Sequence, residues 1–111
     1  MNAVDRLYLA DNKRIQKTIN LDDSLYDKLR QLATNKYDAT ISDLINVCIE
    51  NYITKQTYTF YARPDGETIT YRSIMIRKEN LKSLQKLHNE TGISITRLLN
   101  ASIKDFLETQ S

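Results

Sequence analysis

One apolar stripe occurs twice in this chain, 54 positions apart, and that repetition restricts the fold more than any other feature. The first copy is Ile41, Leu44, Ile45, Cys48, Ile49, Tyr52 and Ile53. The second is Ile95, Leu98, Leu99, Ser102, Ile103, Phe106 and Leu107. Both follow the three-and-four spacing that lines one side of a helix. A hydroxyl residue precedes each, Thr40 and Ser94, suited to capping the free N–H groups of a first turn. Asn46 recurs as Asn100. Seven matched positions make chance a poor explanation, so the chain reads as one unit used twice. In 111 residues each unit has about 40 to 50, near the lower limit for folding alone, and the two are expected to share one core.

The residues ahead of each stripe repeat as well. Ile15 to Leu21 reads IQKTINL, with Ile15, Ile19 and Leu21 on one side, interrupted by Lys17, and Gln16, Thr18 and Asn20 on the other. Tyr71 to Ile76 reads YRSIMI, with Ile74 and Ile76 on one side and Tyr71, Ser73 and Met75 on the other. This period-two alternation predicts two strands. Each leads into a helix. Asp22-Asp23-Ser24 opens the first, with acids near the positive end of its dipole, and Leu25, Leu29, Leu32 and Ala33 form its inner stripe. Leu81, Leu84 and Leu87 do the same in the second. Asn35 to Ala39 predicts a turn, and Thr40 with Asp43 resembles a capping box with Asp in place of Glu or Gln. Gly92 stands where a helix end needs positive φ. The strands match at an offset of 55 and the last helices at 54, so the first turn is expected to be one residue longer.

The organisation that follows is an N-terminal arm over 1–12, a first unit over 13–53, a linker over 54–70 and a second unit over 71–111. In the linker, Tyr58 to Ala62, then Arg63-Pro64-Asp65-Gly66, then Glu67 onward predict a β-hairpin that leads into the second ribbon strand and could add a third strand at its edge. Tyr58, Tyr61 and Tyr71 read as cross-strand packing in that hairpin, ahead of a stacking platform for single-stranded nucleic acid.

Composition narrows the class. Two Gly and one Pro favour a mostly helical globule. No apolar run approaches the roughly 18 residues of a membrane span, and Met1 to Asn12 lacks the uninterrupted apolar region of a signal peptide. Cys48 is the single cysteine, a usage expected of a reducing cytoplasm, and its place on the stripe makes it a core thiol. His88 is the only histidine. With no Cys or His cluster, Gly-rich phosphate loop or His-rich nicking motif, neither a metal, a cofactor nor an enzyme is expected. The net charge of +2 is uneven: residues 13–53 hold six basic and six acidic side chains, residues 71–107 seven and three. That balance permits a nucleic-acid partner without demanding one.

A lone short strand cannot leave its backbone unpaired in a core. Pairing the two strands antiparallel satisfies both and gathers the four helices beneath. The expected fold is mostly α with a short antiparallel β-ribbon, whose inner face, Ile19, Leu21, Ile74 and Ile76, closes the core. At these residues the chain resembles the ribbon-helix-helix (MetJ/Arc/CopG) superfamily. The motif is IQKTINL, DDSLYDKL and TISDLINVCIENYI, then YRSIMIRKENLKSL and TGISITRLLNASIKDFL, over residues 14–53 and 71–107, about 70% of the chain. Most members of that superfamily carry one unit and dimerise. This chain is similar to a tandem form, a pseudo-dimer in one polypeptide, as are TraY-type accessory proteins of conjugative plasmids.

The resemblance implies sequence-specific binding of double-stranded DNA, with the ribbon in the major groove. Gln16, Thr18, Asn20, Tyr71, Ser73 and Met75 would then contact bases: Gln and Asn pair with adenine, Thr and Ser donate or accept, Met touches a thymine methyl. Thr40, Ser42, Ser94 and Thr96, at the starts of the second helices, would hold phosphates. Lys17 and Arg72 occupy inward positions and are expected to curl towards phosphates, because a buried unpaired charge is costly. The partners implied are duplex DNA, further copies side by side on it, and a relaxase at a transfer origin, with no membrane. A transcriptional repressor is the main alternative. An antitoxin is disfavoured because only Glu108 to Ser111 follow the last helix, and a helical interaction module without DNA stays open.

Overall fold

The computed structural model describes residues 14–55 and 61–110. Strand β1, Arg14–Asp22, leads into helix α1, Asp23–Leu32, and helix α2, Ile41–Ile53. Strand β2, Ile69–Arg77, leads into α3, Lys78–Thr91, and α4, Ile95–Thr109. The strands pair antiparallel, with Thr18 opposite Ser73 at the centre and Arg14 opposite Arg77 and Asp22 opposite Ile69 at the ends. Alternation then decides which side meets the helices. Ile19, Leu21, Ile74 and Ile76 are all buried, so the inner face is the one the apolar pattern predicts. Beneath it lie Leu25 and Leu29 of α1, the stripes of α2 and α4, and Leu81, Leu84 and Leu87 of α3. Cys48 and Ser102 are both fully inside. Each large side chain so buried contributes about 1.5–3 kcal/mol. Leu32 is only partly covered. The arm over 1–12 lies outside the described residues.

Both second helices begin as their sequences predict. The Asp43 amide donates to Thr40 Oγ1 at 3.1 Å and the Arg97 amide to Ser94 Oγ at 3.2 Å. Helix α3 ends at Gly92, with φ +76. The corresponding end in the first unit differs from the expected turn over Asn35 to Ala39. Residues Ala33–Tyr37 continue α1 as one wide π-helical turn, and Asp38 takes the left-handed conformation at φ 48. Asp38 and Gly92 stand 54 apart, whereas the strand ends Asp22 and Arg77 stand 55 apart. The extra residue is therefore absorbed inside the helix, as a π bulge, and not in the turn after it. The bulge brings the Tyr37 ring to 6.4 Å from Phe106 of α4, and its hydroxyl bonds Gln110.

The predicted hairpin is not formed in the described part of the linker. Tyr58 to Phe60 lie outside the described residues, and among the described residues the sheet has two strands. The turn itself is present: the Glu67 amide donates to Pro64 O at 3.2 Å and Gly66 has φ +82. Side-chain contacts account for the path that the described part of the linker takes. Buried Tyr61 donates its hydroxyl to Asp22, and Arg63 Nε donates to the same carboxylate at 2.7 Å. The Asp23 amide donates to Thr68 O at 2.9 Å, and Ser24 bonds Glu67. The segment is thus fastened to the start of α1 and not to a strand edge. Tyr61 packs in the core instead of across a hairpin, and burial together with the Asp22 carboxylate keeps its phenol protonated as a donor.

Candidate nucleic-acid interface

The outer face of the ribbon carries three facing pairs: Gln16 with Met75, Thr18 with Ser73, and Asn20 with Tyr71. All six expected base-contacting residues therefore share one surface. Tyr71 is 72% exposed and Met75 38%, Gln16, Thr18 and Ser73 are exposed, and Asn20 is half-buried. The centre is knitted by side chains: Gln16 Nε2 donates to Ser73 Oγ at 3.1 Å, and Thr18 Oγ1 lies 3.4 Å from that same oxygen.

The second helices flank this face at opposite ends. Asn46 of α2 donates to Met75 O at 2.9 Å and accepts from the Arg77 amide at 2.8 Å. Asn100 of α4 donates to Asn20 O at 3.1 Å and accepts from the Asp22 amide at 3.0 Å. Each asparagine also donates back to its own helix, at Ser42 O and Thr96 O respectively. The start of α2 is thereby fixed beside one end of β2, and the start of α4 beside one end of β1. Ser42 Oγ accepts from the Met75 amide at 3.2 Å, tightening the first junction. Ser42 thus lies against the ribbon, and Thr40, Ser94 and Thr96 stand with it at the N-terminal ends of the two helices, where oriented N–H groups favour an anion. The pairing role of Asn46 and Asn100 was not among the sequence expectations; their recurrence at 54 positions was its visible signal.

The basic residues divide. Lys17 is exposed, although its strand position is on the inner side. Arg72 lies with its guanidinium 3.6 Å from the Tyr26 ring centre and 3.3 Å from Asp23. Asp23 also accepts from Thr68 and Thr70, and these bonds, then Arg72, hold its carboxyl below the usual range. Arg72 is therefore committed to an intramolecular partner, and the expectation that it curls to a phosphate finds it elsewhere. At the ribbon end Arg14 pairs with Asp43 at 2.6 Å and Arg77 with Glu50 at 3.2 Å. Arg14 and the Thr40 cap hold the Asp43 carboxyl below the usual range. Arg97, at the position matching Asp43, is exposed, so the start of α4 is the more basic of the two.

Burial pushes the Cys48 thiol far up, leaving it protonated and unsuited to nucleophilic work. Among the described residues no group of His, Cys, Asp and Glu could hold a metal ion, and no helix is long and apolar enough to cross a membrane. No family model, curated protein or solved structure matches this chain.

Proposed function

We propose that this chain binds double-stranded DNA in a sequence-specific way, as a tandem ribbon-helix-helix pseudo-dimer that lays β1 and β2 in the major groove. The observation that carries the reading is the two-stranded ribbon whose outer face holds Gln16, Thr18, Asn20, Tyr71, Ser73 and Met75 while its inner face closes the core. A two-stranded ribbon fits the groove, and amides and hydroxyls are the groups that read base edges. The capped starts of α2 and α4 at either end are suited to phosphates.

The role we favour is that of an accessory factor at a conjugative transfer origin, working beside a relaxase. The support is asymmetry. No outward position matches between the strands: Gln16 corresponds to Tyr71, Thr18 to Ser73 and Asn20 to Met75. Two unlike strands suit a site read in one orientation, which directional processing of DNA requires and simple repression does not. Selection of sites from random duplexes tests both levels. Gln16→Ala, Thr18→Ala and Asn20→Ala should each lower discrimination at one position by roughly 1–3 kcal/mol with little change in folding. An unaltered site preference in all of them would defeat the ribbon reading. A palindromic site would favour the repressor.

A further inference from the structure

We infer that Ser73 is a positioning residue that locks the Gln16 amide with its carbonyl towards the groove, so that this position selects an amino base, adenine or cytosine, over a keto base on the contacted strand. The inference rests on the DNA-binding reading above and deepens it. Gln16 and Ser73 come from different strands and sit diagonally, Ser73 being the direct partner of Thr18. Gln16 Nε2 donates to Ser73 Oγ at 3.1 Å, and Thr18 Oγ1 stands 3.4 Å from that oxygen. A serine hydroxyl has one proton and two lone pairs. The amide occupies one lone pair; either hydroxyl of the Ser73–Thr18 pair can donate to the other, and the lock requires the Ser73 proton to turn to Thr18 Oγ1 while Nε2 is bound. An untied glutamine offers a donor or an acceptor by a half-turn of its amide. With Nε2 tied across the ribbon, Oε1 points away from Ser73, and the exposed side chain presents an acceptor.

The major groove distinguishes bases on this basis. Adenine N6 and cytosine N4 donate, whereas guanine O6 and thymine O4 accept. An outward Oε1 pairs with the first two and is repelled by the others. The second N–H of Gln16 stays available for adenine N7, which places adenine ahead of cytosine. Asn20, on the same face, has no bond to Ser73 and supplies an internal control.

The experiment is site selection from random duplexes by the full chain and by Gln16→Ala, Ser73→Ala and Ser73→Thr, with thermal melts of each. The Gln16 position is the one whose preference disappears in Gln16→Ala. There the unaltered chain should select adenine or cytosine. Ser73→Ala should lower that preference about tenfold, with the Asn20 position unmoved. Ser73→Thr keeps a hydroxyl and should restore it. A keto base at the Gln16 position, or a preference that survives Ser73→Ala, overturns the positioning role and leaves DNA binding standing. Equal losses at all positions with a lowered melt would mark Ser73 as structural and also overturn it. Failure of the unaltered chain to select any site defeats the underlying reading instead.

Discussion

Asn46 and Asn100 each satisfy the backbone of the strand contributed by the other half of the chain. Both side chains are buried, and their backbone partners are partly covered, the Asp22 amide fully so, which limits their access to water. Asn46 also accepts from Asn80 at 2.9 Å. Asn46→Leu would keep the branched outline of the side chain, slightly enlarged, but would leave the Arg77 amide and the Met75 carbonyl without their partner, while Asn80 would keep only its bond to Glu50 at 2.8 Å. At about 1–3 kcal/mol for each unsatisfied group, a loss of about 3 kcal/mol or more is expected in urea unfolding, and a similar loss for Asn100→Leu. A change under 1 kcal/mol in both would mean that water replaces the asparagines. Asp23 gives a second prediction. Its folded carboxyl lies below the ordinary 3.8, so its contribution is present above that pH and is lost as pH falls through the folded value. Asp23→Asn should therefore flatten the acid fall of the urea midpoint below about pH 4 and leave the neutral region almost level. A steep fall retained in that variant would shift the cause to other carboxylates. The recurrence of Asn46 was legible in the sequence, but its task was not, because Met75 and Arg77 become its neighbours only once the register is known. The same holds for Arg72: its inward position was readable, but its partners Asp23 and Tyr26 come from a different unit.

At the scale of elements, periodicity was the reliable guide. The two strands, the four helices and the inward residues of the ribbon all follow from spacing, because burial on one side imposes a period that few sequences meet by accident. Where spacing failed, side-chain chemistry decided. Tyr61 and Arg63 alternate as a strand would, yet both serve Asp22, an acid that needs donors once it is fully buried. The π bulge was misplaced for a related reason: one inserted residue is visible as a change of offset, but nothing local says whether a helix or a turn takes it up. The bulge ends at Asp38, a side-chain-bearing residue in the left-handed region where the second unit has Gly92. Asp38→Gly should remove that penalty and stabilise the fold by roughly 0.5–1 kcal/mol, read as a raised melting temperature. Unchanged or lowered stability would show that the greater freedom of glycine in the unfolded chain outweighs the relief.

At the scale of the whole molecule, the ribbon is intramolecular: β1 and β2 belong to one chain and pair along their full length. On the proposed pseudo-dimer reading the chain should accordingly sediment as a single species of about 13 kDa without DNA, at any dilution that can be detected. A dimer that persists at low concentration would point to exchange of strands between chains. The linker that joins the units is fastened to Asp22, Asp23 and Ser24 at one end of the ribbon, so the two ends of the molecule are chemically unlike. Covalent connection also changes the arithmetic of supply. When a ribbon is assembled from two separate chains that are mostly apart, halving the chains leaves about a quarter of the ribbons, because their number follows the square of concentration. Here each chain brings its own pair of strands, and halving the chains leaves half.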